Sequence, residues 1–112
     1  MALLRLAGPV SQRQTEALLQ RLVLAYPAYD LVPRSWEGAI HGSFVRWCDT
    51  SAGASPLIVG LLHVTPSDRA AAVVELFPFS GEETSSAAAD ALAEFCGIVQ
   101  SELAEQRFAP TV

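Results

Sequence analysis

The sequence predicts a single α+β domain: an N-terminal helix, an antiparallel meander of three to four strands, and a long C-terminal helix packed on the sheet. Three observations carry this reading. Apolar residues recur at helical spacing near both ends of the chain. The middle is rich in aromatic and β-branched residues, which favour strands. Those strand-like segments follow one another without intervening helices, which fits an antiparallel sheet and argues against a doubly wound one.

The first helix is expected from Ser11 to Ala25. Ser11 suits the N-cap, and Gln14 three residues later completes a capping box. Leu18, Leu19, Leu22, Val23 and Tyr26 form its apolar stripe, and Pro27 ends it. A short extended piece from Ala28 to Val32 closes at Pro33. A longer strand is expected from Glu37 to Cys48, carrying Ile40, Phe44, Val45 and Trp47, with Gly38 and Gly42 marking a bulge or a close backbone approach.

The small polar stretch from Asp49 to Ser55 is a loop. Leu57 to Val64 reads LIVGLLHV, apolar at alternate and intervening positions, as in a strand covered on both faces. Arg69 to Phe77 fits two shapes. One is a helix capped by Thr65 with Pro66 in its first turn; the other, favoured by the β-rich VVELFPF, is a strand after a turn. The last helix is expected from Glu82 to Gln106. Glu82 and Glu83 suit the positive end of its dipole. Ala88, Ala91, Leu92, Phe95, Val99 and Leu103 make its buried stripe, and the alanines and Gly97 allow close approach to a sheet. Phe108 to Val112 reads as a loose tail.

At 112 residues, 51% hydrophobic and 17% charged, the chain holds enough apolar material for one core and too much for disorder. No apolar run reaches the ~18 residues of a membrane-spanning helix. Met1 to Val10 lacks the pattern of a secretory signal, so a cytoplasmic location is expected. Cys48 and Cys96 read as two buried small hydrophobes rather than a disulfide. The net charge is −5, and it is unevenly placed: residues 1–67 hold five arginines against four acids, residues 68–112 two against eight. Such a chain is repelled by phosphate backbones, which disfavours nucleic-acid and anionic-membrane partners.

Chemistry-bearing patterns are sparse. His41 and His63 both fall in expected strands, and Glu37 is spaced to share a face with His41. A metal or acid–base site would want a third ligand or a poised carboxylate beside them. Ser43, His41 and Asp49 supply the residue types of a catalytic triad, but the local text HGSFV lacks a nucleophile elbow. Gly53 sits in SAGAS without the lysine of a phosphate loop. No cofactor and no resident metal are therefore expected.

Two features point to a partner instead. Trp36 and Trp47 bracket the long strand, and large aromatics anchor protein interfaces as well as cores. On the last helix Glu83, Asp90, Glu94, Ser101 and Glu105 recur on one face, an acidic stripe able to steer a basic partner or to meet Arg13 and Arg21 of another copy. Counting faces adds a third argument. Two helices on one side of a sheet cannot also cover the other side of an apolar strand, so a second copy or another protein must; the alternative is one helix on each face, which leaves a monomer with thinner coverage. The expected function is thus a small non-enzymatic protein-binding module, an adaptor, chaperone-like or assembly subunit acting as a homodimer. Trp36, Phe44, Trp47, Glu83, Asp90, Glu94 and Glu105 are its expected partner-binding residues. The element order is similar to that of several small adaptor and secretion-chaperone domains, a likeness of topology that does not fix function. Two alternatives stay open: a small enzyme using His41 or His63 in a pocket between sheet and helices, and a structural subunit of a phage or secretion particle.

Overall fold

A computed structural model describes residues 2–35, 41–48, 56–67, 71–79 and 86–110, apart from the side chains of Ser35 and His41. Its elements run β1 (Leu4–Gly8), α1 (Gln12–Leu24), β2 (Tyr29–Ser35), β3 (His41–Trp47), β4 (Leu57–Pro66), β5 (Ala72–Pro78), α2 (Ser86–Ala104) and β6 (Ala109–Pro110). The architecture is α+β, with two helices on a six-stranded sheet in the order β2-β3-β4-β5-β1-β6. Every pairing is antiparallel.

The strands from β2 to β5 form the expected meander, but two further strands extend it. A strand, not a helix, comes first. The segment LRLAG is short and carries alanine and glycine, so its local β preference is weak. It becomes a strand by pairing with β5, Leu6 opposite Val74. The expected loose tail also joins the sheet at its near end. Phe108 is buried, and Ala109 and Pro110 pair with Ala7 and Leu6.

The segment of double reading is a strand, held by β4 on one side and β1 on the other. Pro33 lies inside β2 instead of ending it. β2 is the outermost strand, where a missing N–H costs no ladder bond. Gly42 pairs in unbroken register with Arg34 and His63, and Gly38 lies outside the described residues; the one register shift on β3 falls instead at Val45/Arg46, around Val59 of β4.

The first helix forms as expected. Ser11 Oγ accepts from the Gln14 N–H at 3.3 Å, and Gln14 Oε1 accepts from the Ser11 N–H at 3.3 Å. Its one fully buried polar side chain, Thr15, donates to the Ser11 carbonyl at 2.9 Å. Along α2 the expected stripe is buried throughout, from Ala88 to Leu103. Gly97, however, is exposed with open space around it. Close approach to the sheet occurs at Gly60, where an added Cβ would come within 2.7 Å of Leu92 Cδ1 and 2.9 Å of the Phe77 carbonyl.

Both helices pack on one face of the sheet. That face presents Leu4 and Leu6 of β1, Val74 and Leu76 of β5, and Leu62 and Val64 of β4. α1 adds Leu19, Leu22 and Val23, and α2 adds Phe95, Val99 and Leu103. Cys48 and Cys96 are only half-buried, so neither is the fully enclosed hydrophobe that its neighbours suggested.

α2 ends in a Schellman motif. The Phe108 N–H donates to the Leu103 carbonyl at 3.0 Å and the Arg107 N–H to the Ala104 carbonyl at 3.1 Å. Phe108 and Leu103 are both buried, as the motif's hydrophobic contact requires. The left-handed position falls on Arg107, with φ 67°. A non-glycine residue there carries a cost of about 1–2 kcal/mol. Arg107→Gly relieves it while loosening the unfolded chain, so a net gain of about 1 kcal/mol is expected. Thermal melting should show it as a rise of about 4 °C.

Candidate functional site

The face of the sheet turned away from the helices carries no helix of its own among the described residues. Strand alternation decides what it displays. Opposed residues form a row across four strands: Val32, Phe44, Leu61 and Phe77. Leu3, whose N–H donates to the Leu76 carbonyl at 2.7 Å, continues the row toward β1 and is 52% exposed. The four aromatic and aliphatic side chains are half-buried, shielded by their own neighbours, and none belongs to the core cluster.

Two polar rows flank this one. On the side of the β2–β3 connection the register aligns Arg34, Gly42, His63, Glu75 and Arg5. On the other side it aligns Asp30, Arg46 and Ile58. Contacts knit the rows together. The Arg34 guanidinium stands 4.8 Å from the Phe44 ring, where a cation is attracted to the π face. Phe44 meets Phe79 edge-on at 6.0 Å, and the His63 ring lies 5.0 Å from Phe77. Arg46 Nε donates to Asp30 Oδ1 at 2.8 Å, and its second nitrogen binds Oδ2. Arg5 and Glu75 pair more loosely at 3.7 Å.

The hydrogen bond from Arg46 holds the Asp30 carboxyl below its ordinary range. Burial pushes His63 below its ordinary value of 6.5; Glu75 opposes that shift and Arg34 adds to it. The folded chain therefore binds a proton at His63 less readily than the unfolded chain. Its stability is full above the ordinary histidine value and falls as pH drops through it. Melting at about pH 5.5 is expected to be lower than at about pH 7.5, and His63→Gln should flatten that part of the slope.

Both margins of the sheet resist extension. β2 at one end carries Pro33, and β6 at the other carries Pro110. A proline cannot donate to a new ladder, and such residues blunt sheet edges against pairing.

The residues expected at a partner interface do not gather in one place. Phe44 lies in the apolar row. Trp47 is half-buried on the helix side, packed against the core cluster. Asp90, Glu94 and Glu105 are exposed on the outer side of α2, away from the open face. Trp36 and Glu83 lie outside the described residues, as do Glu37, Asp49 and the side chain of His41. Within the helix layer Glu94 has a second effect. Together with the larger contribution of burial, it raises the Tyr29 hydroxyl to about 12. That hydroxyl donates to the Ala91 carbonyl at 2.9 Å.

The histidine site finds little support in the register. Position 41 pairs with Val64 and position 63 with Gly42, so the two positions alternate to opposite faces of the sheet. Ser43 lines a cleft of about 300 Å³ between α1 and strands β2 to β4, with Glu16, Leu19, Pro33 and Leu62, and with Arg34 and Gly42 of the flanking row at its margin. Among the described residues no three His, Cys, Asp or Glu side chains converge as metal ligands would. Among the described residues no helix is long and apolar enough to cross a membrane. No protein-family model, curated protein sequence or solved structure matches this chain.

Sequence reasoning found that β4 was apolar on both sides but missed which residues shared the far face. The missing information was register. Val32, Leu61 and Phe77 were each visible as apolar residues, yet only strand pairing sets them in line with Phe44.

Proposed function

We propose that this chain is a small non-enzymatic protein-binding module, an adaptor, chaperone-like or assembly subunit that works through the open face of its sheet. One observation carries the reading: both helices lie on one side, and the other side holds a continuous apolar row from Val32 to Phe77 flanked by charged residues. An apolar centre with a polar rim is the layout of a protein interface. Phe44 and its neighbours would supply the buried anchor, and Arg34, Arg46 and Arg5 the rim.

The acidic side chains of α2 have a supporting part in this reading. Asp90, Glu94, Glu102 and Glu105 are exposed on the helix side of the sheet, Glu102 accepting from the Tyr26 hydroxyl at 3.4 Å. They would keep the outer surface soluble and bias the approach of partners, so that the balanced sheet face meets its target first.

The test is Phe44→Asp against the unaltered chain, read by light scattering and by the fluorescence of an apolar dye. The unaltered chain should associate at micromolar concentration or bind the dye. The variant should keep its far-UV circular dichroism and lose both signals by about tenfold or more. An unaltered chain that neither associates nor binds dye would remove the reading.

A further inference from the structure

From the charge pattern of the open face we infer its occupant: a second copy of this chain, stacked face to face about a two-fold axis that runs along the apolar row. This rests on the protein-binding reading above and names the partner. The pattern is self-complementary about that line. On β2, Asp30 and Arg34 lie two residues to either side of Val32. On β3, Arg46 and Gly42 lie two residues to either side of Phe44. Rotation about the row therefore sets Arg34 of one copy against Asp30 of the other, twice, as a second cation on a carboxylate that Arg46 of its own chain already binds. It also sets each Arg46 over a glycine, where no side chain competes for the space.

The competing two-fold, with its axis along the strands, preserves the rows and reverses the strand order. It brings Arg34 on β2 toward Arg5 on β1 of the other copy, a like-charge contact that such interfaces avoid. Both axes leave the strands aligned across the two layers, the ordinary packing of stacked sheets, so the charge contacts are what separate them. Size agrees as well. Five strands about 4.8 Å apart and seven residues at about 3.3 Å each give a face of about 550 Å² in projection. Corrugated by side chains, that falls within the ~600–1,000 Å² per partner of a specific interface. The assembly is four layers deep, with helices outside and two sheets back to back within.

On this axis each residue of the row faces its own copy, and stacked sheets lie about 10 Å apart. A bismaleimide of about 10 Å reach should therefore join two chains through Val32→Cys, in a background of Cys48→Ser and Cys96→Ser. Thr65→Cys, four residues beyond Leu61 on β4, lies about 13 Å from the axis and about 26 Å from its copy, and should not react across the interface. Sedimentation should show Arg34→Asp weakening the dimer by about tenfold or more, and the full inversion Asp30→Arg, Arg34→Asp and Arg46→Asp, which keeps the pair within each chain, restoring it to within about threefold. A dimer that cross-links equally through both positions, or through neither, would overturn the two-fold arrangement. A chain that stays monomeric at about 100 μM yet binds dye, with Phe44→Asp abolishing the dye signal, would overturn the second copy while the docking face stands. Monomer without dye binding removes both.

Discussion

Phe95→Ala is expected to remove about 4 kcal/mol of folding stability. Phe95 is fully enclosed, and its ring lies 5.1 Å from that of Tyr29. Tyr29 in turn hydrogen-bonds the Ala91 carbonyl one turn earlier on α2. This cluster fixes the first half of α2 to the outer strand β2. Truncation would leave a cavity and free the tyrosine ring to move. A domain of this size holds about 5–15 kcal/mol in total, so the variant should be close to unfolding at room temperature. Urea titration measures the loss directly, and Phe95→Leu provides a graded variant if the alanine does not fold. A loss below about 1 kcal/mol would mean that α2 is not seated on the sheet in this way.

The second large effect separates neighbours on one strand. Leu62 is 2% exposed on the helix face, and Leu61 beside it is half-buried on the open face. Leu62→Asp places a carboxylate in the core with nothing to pair it, a cost of several kcal/mol that should abolish the fold. Leu61→Asp places the same group among the aromatic residues of an open surface. Its cost to the isolated fold should be about 1 kcal/mol or less, while association through that face should fall by orders of magnitude. Circular dichroism and light scattering on the two variants side by side give the comparison. Equal unfolding by both would mean that Leu61 is core, and the open face would lose its meaning.

Much of this was legible in the sequence, for reasons that differ by element. The capping box at Ser11 and Gln14 is a local signal, so α1 was placed within a residue at each end. The buried stripe of α2 follows from period alone. β1 was not legible, because LRLAG has little β preference and gains its shape from β5, some seventy positions away in the chain. The attachment of Phe108 was missed for a similar reason. The Phe108 ring occupies the space over Gly8, so the tail and the first strand are read only together. Placing an interface on Phe44 came from its aromatic character. Setting Phe44 in a row with Val32, Leu61 and Phe77 required the pairing of four strands, which local preference does not encode. The tryptophans show the opposite limit: large and aromatic by type, Trp47 nonetheless packs on the helix side.

Sedimentation equilibrium of the unaltered chain is the most direct measurement of whether the sheet docks a second copy. Across a range from about 1 to 100 μM the mass should rise toward twice 11.9 kDa, and the Leu61→Asp chain should hold the single-chain mass throughout. An unaltered chain that stays at 11.9 kDa over the whole range would contradict it.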